Sequence, residues 1–280
     1  MSCYIGLDIG GTKIMVKSID TNTHQSILYK EPTPIDYLEG INLLHHLIKK
    51  AANGRKILGI GAAIGGPIDH KNHLVSPLHQ PNWRDIPLKK IMEDKWQCPF
   101  YVDVDTNVAA FAEYTLGDYQ QGRFLYITLS TGMGGGFILD GKIYQGLSHP
   151  EIAHQCITHP YNIVICECGA SNCLEALVSG NGIRNIYKKP AEELNTREWD
   201  EVAYHLALGL RNIACILSPE VIVFGGGVSI GGGNKLLDLS ANYLHKELKL
   251  VSSPKLILST LGYDTALEGA VLFAQAKHLH

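Results

Sequence analysis

From Tyr4 to Asp20 the chain reads YIGLDIGGTKIMVKSID, with apolar and β-branched residues on both sides of Gly10-Gly11. That pattern predicts strand, glycine turn, strand. The plan returns in FLYITLSTGMGGGFILDGKIY, with Gly132, Gly134, Gly135 and Gly136 placed at the turn. Two hairpins of one design predict a duplicated architecture. A third cluster, Gly225-Gly226-Gly227, follows the apolar run VIVF. Ahead of it Ala203, Leu206, Leu210, Ile213 and Leu217 recur at helical spacing until Pro219, which predicts a helix, a buried strand and a glycine turn.

Further strands are expected from Ile57 to Ile64, ending at Gly65-Gly66-Pro67, and from Phe100 to Asp105, running into the helix former VAAFAEYTLG. Strands alternating with helices indicate an α/β protein. No low-complexity linker divides the chain, so the boundary is placed by the repeat, near residue 115. One domain is expected over 1–115 and a second over 116–264. The apolar, alanine-rich stretch Thr265 to Lys277 reads as a C-terminal helix, within about 265–280, that packs back on the first half.

Composition narrows the function classes. The 280 residues are 45% hydrophobic and 18% charged, enough for one large domain or two ordinary ones, each with its own core and without help from disulfides. A formal net charge of -3 provides no basic stripe for phosphate backbones, which argues against nucleic acid as a partner. No apolar run approaches a membrane span, and no basic-then-apolar leader opens the sequence, so a cytoplasmic protein is expected.

The densest chemistry lies in EIAHQCITHPYNIVICECGASNCLE, residues 151–175. Three cysteines spaced C-x-C-x4-C follow a histidine by twelve residues, with a carboxylate at each end of the run. His154, Cys166, Cys168 and Cys173 would give Zn2+ four N/S ligands and no open position, the mark of a structural site. A disulfide is the rival reading, but cysteines two residues apart close a strained ring, and seven cysteines without a leader suggest a reducing compartment. Cys156, His149 and His159 are alternatives for the fourth ligand.

Glycine turns bring backbone N–H groups close to an anion, as phosphate sites require. The sequence fits neither the Walker pattern nor G-x-G-x-x-G opening a helix, which disfavours a dinucleotide enzyme. Asp8-x-Gly10-Gly11-Thr12-Lys13, Ser130-Thr131-Gly132-x-Gly134-Gly135-Gly136 and Gly225-Gly226-Gly227 together resemble the phosphate and adenosine elements of the actin-like sugar kinase superfamily. Within it, the segment from His154 to Glu175 resembles the ROK family of sugar kinases and sugar-sensing repressors. The resemblance covers nearly the whole chain in the expected order.

The resemblance implies two actin-like, ribonuclease H-like lobes with an interlobe active-site cleft, a homodimer, and the cofactors ATP, Mg2+ and structural Zn2+. ROK repressors carry a winged DNA-binding region ahead of the first phosphate motif, whereas here that motif lies within the first residues, as in the kinase branch. The implied reaction is transfer of the γ-phosphate of ATP to a primary hydroxyl of a sugar. Glucose and fructose lead, with N-acetylmannosamine behind and a non-catalytic sugar-binding regulator as the alternative from another class.

The family's catalytic aspartate matches Asp105 in D-V-D-T-N. The sequence places Asp105 at the end of a strand, where Thr106 could cap the following helix and the helix N-terminus would favour the ionised base. Asp103, on the same strand face two residues earlier, is the second candidate. Glu151, His154 and Glu175 match sugar-contacting residues of the family, as do Asn82 and Gly66 of the Gly65-Gly66-Pro67 turn. Asp8 matches the Mg2+ or phosphate-side carboxylate, while Lys13 reads as a phosphate contact or an exposed strand residue.

Three departures bear on specificity. Val104 stands where many members have a sugar-binding asparagine, Ala153 replaces a glycine, and His149-Pro150-Glu151 resembles the sequence of ROK fructokinases.

Overall fold

The computed structural model describes residues 1–157 and 163–275. They form two compact units, one of residues 1–112 with the stretch from Asp264 onward, the other of residues 113–263.

The first unit opens with strands β1 (Ser2–Ile9), β2 (Lys13–Asp20) and β3 (Ser26–Pro32). Helix α1 (Tyr37–Ala52) follows, then β4 (Lys56–Ile64), the short hairpin β5 (Ile68–Asp69) and β6 (Leu74–Val75), α2 (Leu88–Trp96) and β7 (Phe100–Val104). Helix α3 (Asp105–Leu116) leaves the unit. The α1 helix is punctuated as its sequence dictates. Asp36 accepts the Glu39 N–H at its start, Lys49 and Lys50 lie at its negative end, and Asn53 closes it in the left-handed region.

The sheet order is β3-β2-β1-β4-β7, antiparallel across the first three strands and parallel from β1 to β4 to β7. Ile5, Leu7, Ile14, Leu44, Ile48 and Trp83 are buried together in its core.

The second unit repeats the order. It comprises β8 (Arg123–Leu129), β9 (Met133–Leu139), β10 (Lys142–Ile143), α4 (Leu174–Val178), α5 (Gly180–Tyr187), α6 (Thr196–Leu217), β11 (Val221–Gly225), α7 (Gly227–Glu247) and β12 (Lys255–Leu258). Its sheet runs β10-β9-β8-β11-β12, again with an antiparallel hairpin side and a parallel side. The duplication expected from the glycine hairpins is therefore present at the level of strand order.

Helix α6 is the long amphipathic helix read from the sequence. It opens on a reciprocal capping box between Asn195 and Glu198 and buries Leu206, Leu210 and Ile213. Helix α8 (Thr265–Gln275) packs on β1 and β4 of the first unit; the expected end of this helix near Lys277 lies outside the described residues.

Three local expectations change. Gly134, Gly135 and Gly136 are strand residues of β9 paired with Thr128, Ile127 and Tyr126, so the turn is confined to Ser130, Thr131 and Gly132. Gly135 is small because the Ile152 side chain packs where its Cβ would stand. Asp105 is the first residue of α3 rather than the last of β7, and Thr106 lies inside the helix, so it is not the cap.

Candidate functional site

The parallel strands β1, β4 and β7 end in register, Ile9 beside Ile64 and Ile64 beside Val104. Three loops and a helix start therefore meet at one end of the first sheet, the end where open α/β sheets bind ligands. Gly10, Gly11 and Thr12 turn β1 into β2, closed by the Gly10 N–H on Lys13 O at 3.0 Å. Thr33 ties this turn down from the end of β3, its hydroxyl donating to Gly10 O at 2.6 Å and its N–H to Thr12 O at 3.1 Å. Gly11 and Thr12 are exposed, whereas Lys13 is half-buried at the start of β2.

Gly65 and Gly66 follow β4, and the Gly66–Pro67 peptide is cis. The loop after β6 settles on this turn through Leu78 N–H to Gly66 O at 2.8 Å and Ser76 N–H to Pro67 O at 3.1 Å. His79 of the same loop packs its backbone against Gly11. Arg84 closes the loop by donating to Pro77 O at 2.6 Å, to Gln80 O and Trp83 O at 3.1 Å each, and to Leu78 O at 3.4 Å. Asn82 is presented on the exposed side of this clamped loop, next to the fully buried Trp83.

Asp105 is half-buried at the start of α3, with Oδ1 accepting the Thr106 N–H at 2.7 Å. Asp103 is different, being 1% exposed. Its Oδ1 accepts from Val104 N at 2.7 Å and from Asn107 Nδ2 at 2.9 Å, and His70 Nε2 lies 3.8 Å away. The two aspartates occupy separate environments rather than one strand face. Asp8 is affected by Asp105. Burial first, and then the Asp105 charge, push the Asp8 carboxyl up to about 7, against an opposing effect of Lys13. A cation beside Asp8 would favour its ionised form. Val104 is 3% exposed, so its side chain lies in the core at the strand end.

In the second unit the turn Ser130–Gly132 is closed by Ser130 N–H to Gly132 O at 2.9 Å. It is fastened by Gly180 N–H to Ser130 O at 2.7 Å and Asn181 N–H to Thr131 O at 2.9 Å. Glu175 Oε2 accepts the Met133 N–H at 2.9 Å. Gly225 ends β11, Gly226 caps α7, and Gly227 begins it. Gly226 has φ +87°, and a Cβ there would lie 2.3 Å from Leu129 O, so only glycine brings the third turn this close to β8.

The cysteine segment folds into a tight knuckle. Cys166 N–H donates to Ala170 O and Gly169 N–H to Cys166 O, both at 2.9 Å, and Asn172 pins Val164 through its backbone and side chain. One ligand atom from each of His154, Cys166, Cys168 and Cys173 lies within 4.8 Å of all the others, and no disulfide joins the thiols. Cys168 Sγ and Cys173 Sγ are 3.7 Å apart, and Cys166 Sγ is 3.7 Å from His154 Nδ1. Bonds of about 2.3 Å to a tetrahedral Zn2+ place two sulfurs about 3.8 Å apart.

Burial pushes the Cys166 thiol up to about 12 and raises the Cys173 thiol as well, so these two buried thiols need a cation to become thiolates, whereas the backbone hydrogen bond at Ala170 already lowers Cys168. The residues present thus fit the metal. His149 instead hydrogen-bonds Glu151 Oε1 at 2.9 Å, Cys156 lies outside the four-residue group, and His159 lies outside the described residues.

His154 turns its other nitrogen, Nε2, toward Glu151 Oε2 at 3.8 Å. The hydrogen bond from His149, ahead of the nearby His154, holds the exposed Glu151 below the usual carboxylate range.

Reading the sequence missed the Arg84 clamp, the Thr33 tie and the Asp103–Asn107 pair. Only the last had a signal, the i,i+4 spacing of an acceptor and an amide across a helix start.

Two five-stranded sheets of one strand order, with glycine turns after β1, β8 and β11, define an α/β protein of the actin-like ATPase fold. The chain belongs to the ROK family, whose model matches residues 4–277. It is 28% identical to a glucokinase of Halalkalibacterium halodurans over 309 aligned positions, covering 95% of this chain and 93% of that one. It is 32% identical to a fructokinase of Zymomonas mobilis over 80% of this chain and 79% of that one. Among solved structures, the ROK family glucokinase from Streptomyces griseus in complex with glucose and AMPPNP superposes with a TM-score of 0.77 at 25% identity, over 98% of this chain and 99% of that one. No helix among the described residues is long and apolar enough to cross a membrane.

Proposed function

We propose that the protein is an ATP-dependent hexose kinase that transfers the γ-phosphoryl group to a primary hydroxyl of its sugar. Glucose and fructose are the first candidates, because the relatives of comparable similarity include both a glucokinase and a fructokinase. The observation that carries this reading is the placement of Asp105 at a helix start on the same sheet end as the Gly10–Thr12 turn, with Asp103 withdrawn into the core.

Phosphoryl transfer asks for positioning, charge neutralisation and a base. Asp105 accepts the proton of the attacking hydroxyl, and the N-terminus of α3 supports its ionised form until it does so. Asn82, Gly66, Glu151, His154 and Glu175 bind and orient the sugar. The turns at Gly10–Lys13, Thr131–Gly132 and Gly225–Gly227 hold the nucleotide through backbone N–H groups, with Gly134 supporting the second from within β9. Asp8 would hold Mg2+, which when bound supplies neutralising charge to the phosphate oxygens. His154, Cys166, Cys168 and Cys173 would hold Zn2+ as scaffolding, which fixes the His154 ring so that Nε2 faces Glu151 and the sugar.

The test is ADP release coupled to a colour reaction across a panel of hexoses and N-acetylhexosamines. Turnover with at least one sugar at a rate well above ATP hydrolysis alone supports the kinase. Sugar binding without ADP release with any sugar supports the regulator instead.

A further inference from the structure

The segment that follows the cysteines does more than end the metal knuckle. Immediately after Cys173, α4 and α5 deliver three hydrogen bonds to the Ser130–Met133 turn, from Gly180 N–H, from Asn181 N–H and onto the Glu175 carboxylate. The carboxylate is the odd member, since it accepts where the others donate. Oε2 takes the Met133 N–H at 2.9 Å, and Oε1 lies 3.4 Å from Cys166 Sγ. A Cβ on residue 132 would lie 3.0 Å from Oε2, so glycine at this position leaves the carboxylate room to sit against the turn without shifting. Thr131, Gly132, Cys166 and Glu175 line one small hollow.

We infer that Glu175 is a positioning residue for the nucleotide turn, acting on nucleotide binding even when no sugar is present. The inference rests on the reading above that the Thr131–Gly132 turn holds the nucleotide. One oxygen fixes the N–H at the end of the turn, and the other sits at the Cys166 ligand of the metal knuckle. The geometry of the turn is therefore set by the same short segment that carries the metal ligands.

The experiment measures ADP and AMPPNP affinity by calorimetry without sugar, together with metal content, for the full chain and three variants. Glu175→Gln keeps an acceptor of the same reach, and should bind nucleotide within about twofold of the parent. Glu175→Asp keeps the charge but is one methylene shorter, and Glu175→Ala removes the acceptor. Both should bind about five- to tenfold more weakly with metal content unchanged, the worth of one hydrogen bond. Parent-like or tighter affinity in Glu175→Asp and Glu175→Ala would overturn the inference, leaving Glu175 a sugar ligand only or a source of charge repulsion. Should Glu175→Ala fail to fold, Glu175→Asp against Glu175→Gln decides. Failure of the parent itself to bind either nucleotide would instead overturn the function proposed for the turn.

Discussion

Asn107 donates its side-chain N–H to Asp103 across the start of α3, at 2.9 Å and with both residues buried. The contact staples the last turn of β7 to the helix that presents Asp105, and the Val104 N–H completes it on the same Asp103 oxygen. Burial and these two hydrogen bonds favour a structural part for Asp103 over that of the base. Asp103→Asn should lose about 1 to 3 kcal/mol of stability, because it replaces a charged acceptor with a neutral one for the Val104 and Asn107 N–H groups and turns the second carboxylate oxygen into an N–H donor in a buried site. Turnover per folded molecule should fall less than tenfold. Denaturant unfolding and a specific-activity measurement on the folded fraction check both halves.

Metal loss should be costly and local in origin. The four ligand atoms of His154, Cys166, Cys168 and Cys173 already converge, and the buried Cys166 and Cys173 have no apolar reason to face an exposed Cys168. Cys168→Ser should retain far less than one zinc per chain and unfold at lower temperature, since structural zinc contributes on the order of 10 kcal/mol to small metal-dependent folds. Elemental analysis of parent and variant purified without chelator reads this directly. Well under one zinc per chain in the parent contradicts the metal reading.

Arg84 makes a prediction that separates the loop from the chemistry. Its guanidinium serves four carbonyls of residues 77–83, more than any lysine ammonium can serve in a plane. Arg84→Ala should cost about 1.5 to 3 kcal/mol of stability and raise the sugar KM severalfold, with kcat reduced less. Arg84→Lys should recover only part of either. Steady-state kinetics with sugar as the varied substrate check the split, and an unchanged KM would remove Arg84 and its loop from the sugar site.

The repeated hairpins, the strand-helix alternation, α6 and the convergence of His154 with the three cysteines were legible because each is written in local spacing. The period of the apolar residues places α6, and C-x-C-x4-C with His154 places the knuckle. What was not legible depends on contacts between distant stretches. Gly134 to Gly136 read as turn residues because glycine runs usually are, but Ile152 packs where the Cβ of Gly135 would be. Asp103 was a second candidate because residues i and i+2 of a strand share a face, but the helix begins at residue 105 and turns the two aspartates apart. The link from Glu175 to the Met133 N–H spans 42 positions and has no local signature. The caps at Asp36 and Asn195 were missed as well, although D-x-x-E and N-x-x-E are local signals of those helix starts.

The central role proposed for this chain is that of Asp105 as the base of a sugar phosphotransfer. Its most direct measurement is turnover of Asp105→Asn against the parent, by coupled ADP release with the hexose the parent uses best, with nucleotide affinity and thermal stability measured alongside. The variant should keep the parent's unfolding temperature and nucleotide affinity while turnover falls about two to four orders of magnitude, the usual worth of a general base. Turnover within a few fold of the parent in a folded, nucleotide-binding variant would contradict the mechanism.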